Sequence, residues 1–227
     1  INYQSIGSGG GIRQFTDRTI DFGASDAPMT DEQIKKVGEP VLHIPTVIGS
    51  VVLSFNIADQ KELKLDGETI AGIFLGEIKK WEDPRLLKLN PTMKTKGDII
   101  VIHRSDGSGT TNVFTDYLSK VSAQWKEKVG VGTAINWPLG LGGKGNEGVA
   151  GLIKQTPNSV GYTEYVYAKT NQLSVAQIKN VQGEYIRPSL KSMSAAALSE
   201  LNKMPSDYRV SITNSAGKGS YPLSAFT

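Results

Sequence analysis

The sequence predicts an α/β protein, and three observations support this class. Short apolar runs with strand character alternate with stretches whose apolar residues recur at helical spacing. Glycine- and serine-rich turns join several of these runs to the helix that follows. One apolar run, residues 45–55, is longer than an ordinary strand of about five or six residues. The alternation predicts largely parallel sheets, and the long run predicts a strand that crosses between two domains.

Composition narrows the possible functions. The chain has 227 residues, of which 38% are hydrophobic and 21% charged, enough for one large or two small domains. The net charge is only +3 and the lysines are dispersed, so we expect no nucleic-acid partner. The chain has no cysteine, which excludes a disulfide and a thiolate metal site, and its two histidines, His43 and His103, argue against a histidine-rich metal site. We expect no cofactor. No apolar run is long enough to span a membrane.

The chain begins with a predicted strand, residues 1–4, followed by a glycine-serine turn over residues 5–11. A helix is expected from about residue 12 to residue 18. Ser8 stands within the turn, where a helix N-terminus could bind an anion. The alternative is a plain flexible turn.

A second short strand is predicted over residues 20–25, and it ends at Asp26. A carboxylate at this place is either a turn or cap residue or a member of a site at the strand end. Residues 30–33, Thr-Asp-Glu-Gln, have the pattern of a capping box and predict a short helix to residue 37.

The remaining elements follow from similar local patterns. Strands are predicted at residues 98–103 and 159–167, an extended stretch at 134–137, a hairpin at 177–187 with its turn at 182–183, and a return crossing at 219–224. Helices are predicted to begin near residues 66, 81, 110, 125 and 192. The glycine-rich residues 140–146 are interpreted as a structural turn, with Asn146 as the cap of the next helix.

The main candidate site is the turn at residues 104–111, Arg-Ser-Asp-Gly-Ser-Gly-Thr-Thr, between a predicted strand and a predicted helix. The first turn of a helix has free backbone N–H groups that carry partial positive charge. Glycines let the backbone approach a ligand, and an arginine offers a planar set of donors. The pattern predicts a site for a tetrahedral oxyanion formed by Arg104, Ser108, Gly109 and Thr110. The alternative is that Ser108 or Thr110 only caps a helix.

These candidates all stand at predicted strand ends. In α/β proteins, ligands bind outside the carboxyl ends of the strands. Ser8 and Asp26 precede the long crossing run and Arg104 follows it, so we expect a cleft between two domains to bring them together.

Three motifs together resemble the periplasmic phosphate-binding proteins of ABC transporters. They are Tyr-Gln-Ser-Ile-Gly-Ser-Gly-Gly-Gly at residues 3–11, Asp-Phe-Gly-Ala-Ser-Asp-Ala-Pro at 21–28, and Arg-Ser-Asp-Gly-Ser-Gly-Thr at 104–110. The segments at 81–84, 137–140 and 221–224 fit the family too, so the resemblance extends over nearly the whole chain.

The resemblance implies a type II, two-domain Venus flytrap with phosphate buried in the interdomain cleft. It implies that Ser8 and Asp26 bind phosphate from the first domain, and that Arg104, Ser108, Gly109 and Thr110 bind it from the second. Asp106 would orient the arginine. Domain I would comprise residues 1–46 and 220–227, and domain II residues 47–219.

One departure from the family concerns the ends of the sequence. The family begins with a further strand and a Gly-Ala-Thr-Phe-Pro turn, and it continues beyond the last crossing. We therefore expect domain I to be incomplete in this chain.

The resemblance also implies an extracytoplasmic receptor that delivers inorganic phosphate to a membrane permease and performs no catalysis. It would be a monomer, either periplasmic or anchored on the outer face of a bacterial cytoplasmic membrane. One alternative is a phosphatase or serine hydrolase with Ser108 as nucleophile and His103 or His43 as base. His103 directly precedes Arg104 on a strand and should face the opposite way, and the G-x-S-x-G elbow is missing. Another alternative is a receptor for a different oxyanion, such as sulfate.

Overall fold

The computed structural model describes residues 3–58 and 60–227. The helices are α1 (Gly7–Thr16), α2 (Asp31–Val37), α3 (Gly67–Phe74), α4 (Pro84–Leu89), α5 (Gly109–Val121), α6 (Ala123–Lys128), α7 (Gly145–Gln155), α8 (Tyr165–Thr170) and α9 (Leu190–Glu200), with a 3-10 turn at Leu201–Lys203. The strands are β1 (Ile48–Asn56), β2 (Lys64–Leu65), β3 (Ile100–Arg104), β4 (Leu141–Gly143), β5 (Ser159–Glu164), β6 (Ser174–Val175), β7 (Gln177–Lys179), β8 (Tyr185–Ile186) and β9 (Ser224–Phe226). The fold is mixed α/β, and no helix in the described residues is long and apolar enough to cross a bilayer.

The main sheet has the strand order β4-β3-β5-β1-β6, with β9 also paired to β1. β3 is parallel to β4 and β5, but β1 is antiparallel to β5, β6 and β9. The expectation of largely parallel sheets is therefore wrong for β1. No single crossover helix joins β1 to β5, so the rule that makes βαβ neighbours parallel does not fix the direction of β1.

β1 has nine residues, which confirms that the long apolar run forms an unusually long strand. Its first three residues pair with β9, and its last six pair with β5. One strand therefore takes part in two successive ladders. The final strand, β9, lies beside the beginning of β1.

The core lies between this sheet and the helices α3, α5 and α6. Phe114 stacks on Tyr162 with ring centroids 4.5 Å apart and meets Phe74 edge-on at 4.7 Å. Trp81 and Trp125 are fully buried in the same cluster. Each side chain of this size contributes about 1.5–3 kcal/mol by burial, so the cluster fixes β3, β5 and α5 relative to one another.

The first part of the chain differs from the sequence prediction. Residues 3–4 and 20–25 form no strand, and residues 1 and 2 of the first predicted strand lie outside the described residues. A strand is stable only when its backbone groups pair with a neighbour, and no β-ladder of the described residues includes these segments. The helix expected from residue 12 begins five residues earlier, at Gly7.

The local helix signals are confirmed. Thr30 Oγ1 accepts from Gln33 N at 3.2 Å and Gln33 Oε1 accepts from Thr30 N at 2.9 Å, which completes the predicted capping box of α2. The helices expected near residues 66, 81, 110, 125 and 192 also form.

Predictions in the second half of the chain are confirmed in part. The hairpin of β7 and β8 forms as predicted. The extended stretch at residues 134–137 forms no strand, and the strand predicted to run to residue 167 gives way to α8 after Glu164. The turn at residues 140–146 contains β4, because β3 offers it a free edge, and Lys144 rather than Asn146 is the N-cap residue of α7.

Candidate anion-binding site

Arg104 ends β3 and is almost completely buried. Its Nε donates to Asp106 Oδ1 at 2.8 Å and its Nη2 donates to Asp106 Oδ2 at 2.6 Å. This two-point pairing fixes the plane of the guanidinium. The remaining nitrogen, Nη1, is directed at the start of α5, 3.4 Å from Thr110 Oγ1.

The Asp106 carboxylate is itself held in place. Its Oδ1 accepts from Gly145 N at 3.0 Å, at the first residue of α7. Burial would raise the pKa of Asp106, but the bonds from Arg104 and Gly145 outweigh burial and lower the pKa below its usual value. Asp106 is therefore ionised, and the Arg104–Asp106 pair is neutral overall.

Tyr162 connects the end of β3 to α5. Its hydroxyl accepts from Arg104 N at 3.1 Å and lies 2.6 Å from Thr111 Oγ1. Because Tyr162 is fully buried in the aromatic cluster, the position of Arg104 is set by the core.

Ser108 is the N-cap of α5. Its Oγ accepts from Thr111 N at 3.1 Å, and its own backbone N donates to Thr133 O at 2.8 Å. The side chain is fully buried and does not line the cleft, whereas Gly109 and Thr110, the first two residues of the helix, do. Ser108 therefore caps α5, which is one of the two roles that the sequence left open, and the residues that follow it, Gly109 and Thr110, line the cleft.

Gly109 is where the N-terminal part of the chain touches α5. A Cβ atom at this position would lie 2.4 Å from Ser8 Oγ and 2.8 Å from Asp26 Cβ. Nearby, Gly9 N donates to Gly107 O at 3.0 Å. Only glycine allows this approach, so these glycines bring Ser8 and Asp26 to the arginine turn.

Asp26 faces the same cleft. Its backbone N donates to Ser8 Oγ at 3.3 Å, and its Oδ1 accepts from Thr227 Oγ1 at 2.6 Å. Burial raises the pKa of Asp26, while the Thr227 bond and the charge of Arg104 act in the opposite direction. The carboxyl group is a hydrogen-bond acceptor close to the set of donors.

The cleft between these elements has a volume of about 1090 Å³. It brings together most of the residues expected from the sequence: Ser8, Asp26, Arg104, Asp106, Gly109 and Thr110. The arrangement offers hydroxyl, guanidinium and helix N-terminal donors opposite one carboxyl acceptor. It can replace the hydration shell of a small oxyanion that carries a proton.

Sequence reasoning missed three residues at this cleft. Asn146 Oδ1 accepts from Thr163 Oγ1 and from Glu164 N, both at 3.1 Å, and Asn146 Nδ2 is 3.4 Å from Thr110 Oγ1. Asn146 therefore joins α7, β5 and α5. Glu164 at the end of β5 and Thr227 also line the cleft, and Glu164 could have been found as a carboxylate at a strand end.

The histidines have other surroundings. His103 stacks on Trp137 with centroids 4.8 Å apart and its Nδ1 lies 2.9 Å from Arg104 O, while His43 Nε2 accepts from Met29 N at 3.2 Å. Burial lowers the pKa of both histidines. The hydrogen bonds of the described residues join neither histidine to Ser108. Within residues 3–58 and 60–227, no group of three or more His, Cys, Asp or Glu side chains could hold a metal ion.

Comparisons with known proteins agree on one family. The model of the PBP superfamily domain matches residues 1–227. A protein of Haemophilus influenzae named phosphate-binding protein PstS is 49% identical over 228 residues, covering 99% of this chain and 68% of the relative. A Pasteurella multocida protein of the same name is also 49% identical, covering 99% of this chain and 66% of the relative. The chain thus spans about two thirds of the length of these curated relatives.

A similar solved structure is that of a high-affinity periplasmic phosphate-binding protein bound with phosphate. It superposes with a TM-score of 0.75 at 21% identity and covers 97% of this chain and 71% of that one. At this identity the likeness establishes the fold alone.

Proposed function

The chain belongs to the PBP superfamily, in the family of its relatives named phosphate-binding protein PstS, and on that premise we propose that it is a receptor for inorganic phosphate. The observation that carries the proposal is the buried Arg104 at the end of β3, with Nη1 directed at the N-terminus of α5 and with Asp26 in the same cleft. A desolvated guanidinium beside free helix N–H groups favours an anion.

Each polar group of the cleft has a role in this proposal. Arg104 Nη1, the N–H groups of Gly109 and Thr110, and the hydroxyls of Ser8 and Thr110 donate to the phosphate oxygens. Asp26 accepts a hydrogen bond from the P–O–H group that phosphate retains at neutral pH. Asp106 holds the guanidinium in place. Ser108 acts by capping α5 and so by orienting the N–H groups that follow it.

We further propose how the chain is organised around the ligand. Residues 1–46 and 220–227 belong to domain I and residues 47–219 to domain II, with the ligand between them. The support for this division is that β1 and β9 run side by side where the two parts meet. The receptor acts as a monomer outside the cytoplasmic membrane, either periplasmic or anchored to its outer face, and delivers phosphate to the permease of an ABC transporter.

The proposal includes the absence of catalysis. A serine hydrolase needs a base within hydrogen-bond reach of its nucleophile. Ser108 Oγ accepts from the backbone of α5 and is fully buried, and His103 lies against Trp137. These contacts favour binding over turnover.

The test is a calorimetric titration of the purified protein with phosphate, repeated with sulfate as competitor, together with a turnover assay on a phosphate ester. We expect phosphate to bind at one site, sulfate to compete weakly, and the ester to remain intact. Equal binding of sulfate would make the protein a general oxyanion receptor. Steady hydrolysis of the ester by wild type, lost in Ser108→Ala, would contradict the receptor proposal and show that the protein is an enzyme with Ser108 as its nucleophile.

A further inference from the structure

Glu164 is a further carboxyl group that lines the cleft. It ends β5 and pairs with Val51 of β1, and its Oε1 would lie 3.3 Å from a Cβ atom built on Gly49. Its backbone N is held by Asn146. The side chain is half-buried and lines the cleft with Asp26 and Arg104.

The contacts of the Glu164 carboxyl group differ from those of Asp106 and Asp26. Asp106 is bound by Arg104, and Asp26 is bound by Thr227. The hydrogen bonds of residues 3–58 and 60–227 include none to the Glu164 carboxyl oxygens. Partial burial without a donor raises the free-energy cost of the charge on Glu164.

The charges around the cleft are unfavourable for an anion. Its described lining contains the cations Arg104 and Lys144 and the carboxyl groups Asp21, Asp26, Asp106, Glu147 and Glu164. With every group ionised the lining carries a net charge of −3. The strongest cation, Arg104, is already neutralised by Asp106 at two points. An anion can bind there more easily if one carboxyl group is neutral.

The groups that face Glu164 point to this residue as the neutral one. Asp26, Arg104 of β3, Tyr167 of α8 and Glu147 of α7 line the same cleft as Glu164. The neighbouring β1 residues, Gly49 and Val51, are uncharged. Burial raises the pKa of Glu164, and the nearby charge of Asp26 raises it further, whereas Arg104 opposes the change. A phosphate anion added beside it acts in the same direction as Asp26.

We propose that Glu164 takes up a proton from the solvent when the cleft binds its anion, so that phosphate binding and protonation of this carboxyl group are coupled. The inference rests on the proposed phosphate function and extends it to a residue outside the donor set. Asp26 accepts a hydrogen bond from the ligand's P–O–H group, whereas Glu164 binds a proton taken from the solvent. No other bond changes in the step: the buffer loses a proton and the carboxylate gains it.

The test compares wild type with Glu164→Gln, an uncharged replacement of nearly the same shape. Phosphate is titrated calorimetrically in buffers of different ionisation enthalpy at several pH values, and the dependence of the heat on the buffer gives the protons taken up per phosphate. The protons of the ligand contribute equally to both proteins. Glu68→Gln, at an exposed glutamate of α3, is the matched control.

We expect wild type to take up more protons than Glu164→Gln, by up to one per phosphate, and the control to match wild type. As the pH rises, wild type should lose affinity relative to Glu164→Gln by about tenfold for each unit by which binding raises the pKa of Glu164. Equal proton counts and parallel pH profiles in the two proteins would overturn the inference while leaving phosphate binding intact. If wild type itself binds no phosphate, the proposed function fails instead.

A measurement on wild type alone covers the case in which Glu164→Gln does not fold. Protein labelled with ¹³C at glutamate carboxyl groups is titrated with phosphate at constant pH. One carboxyl resonance should move from the ionised towards the protonated position as the site fills. If every glutamate resonance keeps its ionised position at saturation, the proposal is wrong.

Discussion

The N-terminal segment, residues 3–46, and the sheet region, residues 47–227, are held in place by different means. In the sheet region Trp81, Phe114 and Tyr162 are completely buried. In the N-terminal segment Phe22 and Leu42 are 66% and 75% exposed, and no residue of the segment belongs to either hydrophobic cluster. The segment reaches the site instead through backbone contacts at glycines, such as Gly9 with Gly107.

This difference shows which parts of the site depend on the core. The arginine and the N-terminus of α5 are fixed by Tyr162 and the aromatic cluster. Ser8 and Asp26 are positioned by a few close contacts at Gly109 and by Thr227. Core substitutions in the sheet region should therefore lower stability, whereas substitutions at the contacts of the N-terminal segment should mainly change binding.

The largest expected effect is on stability. Phe114→Ala removes a ring packed against Phe74 and Tyr162, and we expect it to lower the free energy of unfolding by about 3–5 kcal/mol. Phe22→Ala, the same change at an exposed ring, should stay within about 0.5 kcal/mol of wild type. Urea unfolding of both variants measures the difference. Similar losses in the two would mean that the segment is as well packed as the sheet region.

The next effect is on phosphate binding. Arg104→Ala removes a buried charged donor and leaves Asp106 without its partner, so we expect a loss of about 2–5 kcal/mol in binding free energy by calorimetry. Arg85→Ala is the matched control, because Arg85 is exposed and bonds to Asp83 and to the Glu77 carbonyl, neither of which lines the cleft. An Arg104→Ala protein with wild-type affinity would contradict the site.

Gly109→Ala tests the contact between the two regions. The added methyl group would meet Ser8 and Asp26, and overpacking of this kind costs about 1–3 kcal/mol, or roughly 5- to 150-fold in phosphate affinity. Gly151→Ala has nothing within 4 Å of its new Cβ inside α7 and should instead stabilise the protein by about 0.5–1 kcal/mol. Phosphate titrations and thermal unfolding distinguish them. Unchanged affinity in Gly109→Ala would separate Ser8 and Asp26 from ligand binding.

Asp26→Asn tests the ratio of phosphate affinity to sulfate affinity. Sulfate has no proton to donate at neutral pH, so its oxygen would face the Asp26 carboxylate with an unshared pair. Such a mismatch costs about 1–3 kcal/mol. We expect the amide of Asp26→Asn to reduce the difference between the binding free energies of phosphate and sulfate by that amount. Removal of the Asp26 charge favours both anions, so its effect cancels in the ratio of the two affinities. The ratio measured by competition binding therefore reports the contribution of the hydrogen bond from the phosphate proton. A ratio equal to that of wild type would exclude Asp26 as the discriminating residue.

Much of the fold was predictable where the signal is local. The helices α2, α3 and α4 have Thr30, Asp66 and Asp83 as N-cap residues, whose side chains accept hydrogen bonds from backbone N–H groups of the first turn. A cap and its helix lie within a few residues, so a short stretch of sequence contains the whole interaction. The arginine turn was found for the same reason.

The failures have the opposite cause. Residues 20–25 have the composition of a strand, but strand formation needs a neighbour that composition does not specify. At the site, Thr227 bonds to Asp26 across 201 residues of sequence, and Asn146 meets Glu164 only because α7 packs against β5. Contacts of this kind follow from tertiary packing, and no local pattern encodes them.

The hydrogen bond from Gly9 N to Gly107 O has a consequence for opening of the cleft. It joins two main chains, so a side-chain substitution elsewhere leaves both of its partners in place, and only a proline at position 9 would remove the donor. Any movement that separates the start of α1 from the turn before α5 must break this bond.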